Sequence, residues 1–355
     1  MMIRKVHRYL GLVAIVFWCL QALTGLVLVF QWELDDASVP GTPTPVDVHA
    51  LGARIGSIDQ QLGHVSSLWA TGMAANRFDI YYEDRERRPR VIRVDGAGRV
   101  LRDRSEDMLL SFATLSSFHQ TLLSGSFGSW IVGLSGALLC TNLVLGLKLA
   151  LPRAASWRRI LFAKAAGPPA ARRYGLHRMI GVWTALPAFL IAGTGVLLVF
   201  EDPLEQTLHA LVAMPLEETP ATSISLGLLP EGPTTATAAL AVALKTYPGS
   251  KISALVLPET GHSWWRVRLR RNGELPRIWG TTTVFVSETG ARVIDERGAR
   301  RAWARRALDT LYPLHTGQIA GIPGRIALLL IGAAMLSLAW FGFRLWQSRR
   351  AHPGR

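Results

Sequence analysis

An apolar run opened by His-Arg is written twice in this chain. "HRYLGLVAIVFWCLQALTGLVLVF" starts at His7 and "HRMIGVWTALPAFLIAGTGVLLVF" at His177. In both copies Gly follows the His by four residues (Gly11, Gly181), Thr-Gly recurs at one later offset (Thr24-Gly25, Thr194-Gly195), and the run closes on Leu-Val-Phe. A helix that crosses a bilayer takes about 20 apolar residues, but it has no need of His, Gly and Thr at matched places. Segments this long and apolar belong in lipid. Their shared polar exceptions belong to something both copies do.

Two further runs, "WIVGLSGALLCTNLVLGLKLAL" and "IALLLIGAAMLSLAWFGFRLW", complete a set of four spans, read at about 9–31, 127–150, 178–200 and 324–346. What precedes them also repeats. "HQTLLSGSFG" starts at His119 and "HTGQIAGIPG" at His315, and "GLK" at 146–148 shares an offset with "GFR" at 342–344. The chain therefore divides into a helix (1–31), an external segment (32–126), a helix (127–150), a basic loop (151–176), a helix (177–200), a second external segment (201–323), a helix (324–346) and a tail (347–355). Copies that start on the same side of the membrane are expected to relate by a pseudo-twofold along its normal. Each external segment reads as a helix followed by alternating strands, "ISALVL" and "WWRVRLRR" in the second, "RFDIYYED" and "RPRVIRVDGAGRVLRD" in the first. Pro-rich stretches at 39–45 and 228–235 read as linkers. The predicted fold class is a mostly α membrane protein with four transmembrane helices in a tandem repeat and two small α+β external domains.

Charge sets the orientation. All 25 acidic residues lie between Glu33 and Asp107 or between Glu201 and Asp309, while the pieces around Arg4–Arg8, Lys148–Arg178 and Arg344–Arg355 carry basic residues alone. The net charge of +14 is thus a topology signal and not a nucleic-acid footprint. The positive-inside rule puts both termini and the middle loop in the cytoplasm. A cleaved signal peptide would have a shorter apolar core and a small-x-small site after it, and the copy at 177–200 has no such reading. Cys19 and Cys140 both fall in spans, which leaves no disulfide framework. The loop 151–176 lacks a Gly-rich turn after a strand, so it holds no nucleotide site.

Of the nine histidines, His49, His64, His209, His262 and His352 have no counterpart in the other copy and read as surface residues. His7, His119, His177 and His315 are matched. Any one alone reads equally as an interfacial polar residue, but a symmetric four does not. Depth sorts them into His7 with His177 on the cytoplasmic side and His119 with His315 outside. Two imidazoles from facing helices at each level meet the needs of a six-coordinate haem iron, whereas zinc would want further ligands. Without a C-x-x-C-H motif the haem would be b-type, and bis-His ligation favours electron transfer. Gly11 and Gly181 return to the histidine face, where they either admit a flat macrocycle or allow close helix packing. Arg8, Arg178 and Arg325 suit propionates or anchor the helix ends.

The motifs "VHRYLGL", "FHQTLLSGSFG", "LHRMIGVW" and "LHTGQIAG", over nearly the whole chain, resemble the PepSY-associated transmembrane family. That resemblance implies two haem b groups held by His7, His119, His177 and His315, PepSY-like domains facing the periplasm, and a multi-pass, N-in and C-in place in a bacterial inner membrane. Members include ferrisiderophore reductases and iron-uptake factors. Some relatives carry a fused cytoplasmic flavoprotein reductase, which this chain lacks. The expected activity is ferric-siderophore reduction. Its partners would be membrane lipid, the ferric siderophore and an electron donor that is a quinol or a cytoplasmic reductase. Trp264, Trp265 and Trp279 either face the chelate or pack the strands. Two other readings stay open: a non-redox membrane-tethered binding or inhibitory module, and a transporter.

Overall fold

The computed structural model describes residues 2–41, 44–72, 76–105, 111–151, 161–162, 168–212, 234–259, 264–287, 293–296 and 303–351. Most of the predicted linker at 228–235, most of the loop 151–176, and His262 and His352 lie outside them. In chain order the elements are α1 (Met2–Leu28), α2 (Gln31–Ala37), α3 (Val48–Gln61), β1 (Gly63–Ala70), β2 (Arg77–Asp84), β3 (Pro89–Asp95), β4 (Val100–Ser105), α4 (Phe112–Thr121), α5 (Gly125–Ala150), α6 (Pro169–Val199), α7 (Glu201–Val212), α8 (Ala236–Thr246), β5 (Lys251–Val256), β6 (Trp264–Arg270), β7 (Thr282–Ser287), β8 (Val293–Glu296), α9 (Trp303–His315) and α10 (Gly321–Ala351). They fall into two units. One holds Met1–Phe30, Leu115–Leu204 and Leu311–Arg355, and the other Gln31–Thr114 and Glu205–Thr310.

The first unit is a ring of α1, α5, α6 and α10, in which α5 and α10 each pack against both α1 and α6. All four are long and apolar enough to cross a bilayer. Their outward residues, Val13, Val16, Leu134, Leu186 and Leu330 among them, stay exposed. Apolar faces of that extent need lipid around them. The helices run further than the predicted spans: α1 starts at Met2 and α6 at Pro169, so His7 and His177 sit within helices and not at their mouths. His119 and His315 lie on separate short helices, α4 and α9, ahead of the spans. The breaks use the matched glycines. Gly125 and Gly321 take left-handed φ values of 56° and 61°, which a Cβ would disfavour. Gly128 and Gly324 stand where a Cβ would run into the carbonyl oxygens of Thr121 and Gly317.

The second unit corrects the expectation of two separate external domains. Each segment does supply a helix and four strands, but the strands form one antiparallel sheet in the order β4-β3-β2-β1-β5-β6-β7-β8. The seam is β1 against β5, with Leu68 opposite Leu255 and Trp69 opposite Ala254. Had each half stayed alone, its first strand would have shown a bare edge of unpaired N–H and C=O groups. Pairing the two edges removes both. Helices α3 and α8 cover one face and touch each other, closing a core built from Leu51, Ile55, Leu68, Phe78, Leu240, Leu255 and Val267. Each starts at a side-chain cap, from Asp47 and from Thr235.

Under the other face of β2 and β3 lies an ionic cluster. The guanidinium of Arg93, 2% exposed, donates to both Asp79 oxygens at 2.7 Å and pairs with Asp35 of α2 at 2.6 Å. Burial pushes the Asp35 carboxyl up, but hydrogen bonds and charge from Arg102 and Arg93 more than reverse this and hold it below the usual carboxylate range. An Asp with a lowered folded pKa contributes stability above its unfolded pKa of about 3.9 that is lost as pH falls through the folded value. Arg93→Leu strands Asp79 without its cation and leaves Asp35 paired with Arg102 alone. It should cost about 3–5 kcal/mol, read as a lower melting point of the strand signal in circular dichroism. Acidification below about pH 4 should weaken the wild-type sheet unit and change the variant less.

Candidate functional site

The four matched histidines meet in two pairs inside the helical unit. His7 and His177 stand with ring centres 6.4 Å apart, and so do His119 and His315. Like sits with like, as matched depth implied.

Each ring is seated by a different helix from its own. His7 Nδ1 lies 3.1 Å from the Asn142 carbonyl of α5, and His177 Nδ1 lies 3.2 Å from the Leu338 carbonyl of α10. His315 Nδ1 lies 2.9 Å from the Ile191 carbonyl of α6, and His119 Nδ1 lies 2.8 Å from Thr24 Oγ1 of α1. A carbonyl oxygen only accepts, so Nδ1 carries the proton in the first three. The Thr24 hydroxyl already gives its hydrogen to the Leu20 carbonyl at 2.9 Å, so it too accepts from His119. All four imidazoles are thereby held as the Nδ1–H tautomer, with the Nε2 lone pair left for a ligand. This is how metal-binding imidazoles are oriented: the far nitrogen is fixed and the near one is free.

A glycine faces every ring, and at three of the four a Cβ would crowd it. A Cβ on Gly146 would stand 2.9 Å from the His7 ring, one on Gly195 2.8 Å from His315, one on Gly25 3.2 Å from His119 and one on Gly342 3.5 Å from His177. This assigns the Thr-Gly pairs and the "GLK" and "GFR" motifs, which stand out in the sequence as matched but without a role. The seat glycines for His7 and His177 are therefore not Gly11 and Gly181. A Cβ on those two would meet Asn142 Nδ2 at 3.3 Å and Leu338 Cδ2 at 3.7 Å, and both line the cavity instead. That cavity, of about 490 Å³, also takes in His7, His177, Arg8 and Trp18, a volume in the range of cofactor sites.

The spacing suits one metal ion per pair. With metal–nitrogen bonds of roughly 2.0–2.1 Å, ring centres 6.4 Å apart leave room for an ion that both imidazoles of a pair would hold. Of the candidate propionate partners, Arg178 donates to the Ala150 carbonyl at 2.9 and 2.7 Å. Arg325, 6% exposed, donates to the Val29 carbonyl and lies 4.1 Å over Phe30. Both hold helix ends together. Arg8 lines the cavity, its guanidinium 4.6 Å over Tyr9.

In the sheet unit, Trp265 joins the core. Trp279 instead meets Trp32 and Trp69 edge to face, at 5.8 and 5.5 Å. The three line a trough of about 1250 Å³ with Tyr81, Glu259 and Arg268.

Fold and site together define a membrane protein of four helices with two seated histidine pairs and an antiparallel sheet unit. The chain belongs to the family described as the PepSY-associated TM region, which it matches over residues 4–349. No curated protein matches its sequence. The seats make a prediction that needs no bound group. In metal-free protein, ¹⁵N spectra of labelled histidine should show His7, His119, His177 and His315 as Nδ1–H tautomers at neutral pH. Nε2–H signals from these four would contradict the seat geometry.

Proposed function

We propose that this protein is an inner-membrane electron-transfer protein holding two haem b groups, which passes electrons from a cytoplasmic reductase or a quinol to a ferric siderophore in the periplasm and so acts as a ferric-chelate reductase. The observation that carries the reading is that the histidines meet in two pairs with ring centres 6.4 Å apart, every Nδ1 turned to a carbonyl or hydroxyl of a neighbouring helix. Haem b held by the two histidine pairs would supply one-electron transfer.

The protein's own contribution is to bind, orient and insulate. His7 with His177 would hold one group and His119 with His315 the other, each ring locked by its carbonyl or hydroxyl and its glycine. The apolar outer faces of the ring exclude water. Arg4, Arg8 and Tyr174 stand at the end of the cavity from which α1 starts, where they suit carboxylate groups. Iron(III) is the substrate. Reduction loosens its hard oxygen ligands, and the trough with Trp32, Trp69 and Trp279 offers ring faces to an organic chelate. A non-redox binding module has no use for four seated imidazoles. A transporter site would call for broken helices, and α1, α5, α6 and α10 are each continuous, α6 through Pro187.

Pyridine haemochrome assay of loaded protein should give two haems per chain. His177→Ala and His315→Ala should each leave one, and so should Gly195→Leu, by displacing His315 without touching a ligand. A value of one or none in wild type, or loss of both groups from either single His variant, would refute the two-site reading. A reporter fused after Arg355 should behave as cytoplasmic, since the basic pieces carry no acid. Periplasmic activity there would reverse the orientation.

A further inference from the structure

We propose that Trp18 is the residue that couples the two histidine stations, a role that rests on the di-haem reading above. His7, Gly11, Trp18 and Gly25 follow one another on α1 at spacings of four and seven residues, which keeps them on one face of the helix. His7 lies in the inner station and Gly25 seats His119 of the outer one. By helix rise the two levels are separated by ~27 Å, and Trp18 stands ~10 Å from the Gly25 level. It also lines the cavity that holds His7 and His177. One indole thus occupies the stretch of α1 between the stations.

Its position is fixed. Nε1–H donates to Ser135 Oγ at 3.0 Å and to the Ser135 carbonyl at 3.3 Å. In lipid no water competes for that donor. The repeat shows that mere filling is not what the place requires. At the matched position of α6 the residue is Ala188, fully buried, and the position matched to Ser135 is Ile331. The same backbone arrangement is closed by a methyl group on one side and by a hydrogen-bonded indole on the other. The link is therefore one-sided, on the α1–α5 flank.

The step it serves is a bare electron exchange. With a group held by each histidine pair, one electron would pass from the reduced His7/His177 station to the oxidised His119/His315 station, so that the first is oxidised by the one electron that reduces the second. No proton moves, no bond breaks and no further reactant enters. Tunnelling decays steeply with distance through empty space and less steeply through packed, polarisable matter. A clamped indole supplies such matter, and it is itself neither oxidised nor reduced.

The test uses the full chain with Trp18→Leu and Trp18→Phe. Haem content is measured first, since haem-free wild type defeats the functional reading, whereas two bound haems leave only this inference at stake. Expected results are two haems in both variants, several-fold slower exchange between the stations after flash reduction in Trp18→Leu, and an intermediate rate in Trp18→Phe. A second readout needs no turnover. In haem-free protein the emission lost on Trp18→Phe should lie at short wavelength and should vanish from wild type as haem is added back. Exchange at the wild-type rate in Trp18→Leu overturns the proposal. So does a long-wavelength Trp18 emission that haem leaves unquenched. If Trp18→Leu sheds a haem, Trp18→Phe decides: slower exchange with both haems supports the link. Wild-type exchange, or haem loss in that variant too, makes Trp18 a wall of the cavity and no more.

Discussion

The seat of each imidazole is the interaction on which the helical unit depends. A histidine in a bilayer is tolerated only where its polar atoms have partners. Here Nδ1 is satisfied by a neighbouring helix, and the facing glycine lets the ring lie against that helix's backbone. The partner group is drawn from α5 for His7, from α10 for His177, from α1 for His119 and from α6 for His315. Four seats therefore tie together all four spans and the two short helices before them. The contact that orients each ring also ties two helices together.

The same doubling governs the sheet unit. Two copies of a helix and four strands meet at β1 and β5, and the eight strands run outward from that seam in mirror order. The two halves are not chemically alike. The first carries the buried Arg93–Asp79–Asp35 cluster, while Arg270 of the second donates to the backbone carbonyls of Arg277 and Ile278. The trough gathers Trp32 and Trp69 from the first half and Trp279 from the second. Within the spans the pattern is similar, with Trp18 and Asn142 of the first copy replaced at the matched positions of the second by Ala188 and Leu338. Duplication supplies the frame, and the differences between copies give it direction.

By itself the sequence determined what local chemistry can determine: four spans from apolar length, a repeat from matched motifs, and His7, His119, His177 and His315 as a set apart from the other histidines. These follow from properties that neighbouring residues carry along the chain. Tertiary structure decided what depends on partners far away in sequence. Gly146, 139 positions from His7, is its seat, and the nearer Gly11 is not, because the helix that receives a side chain is rarely the one that bears it. The fusion of the external segments was hidden for the same reason. Alternation along β1 and β5 announces strands, yet it is silent on which bare edge will find which, because that pairing joins residues as far apart in sequence as Leu68 and Leu255.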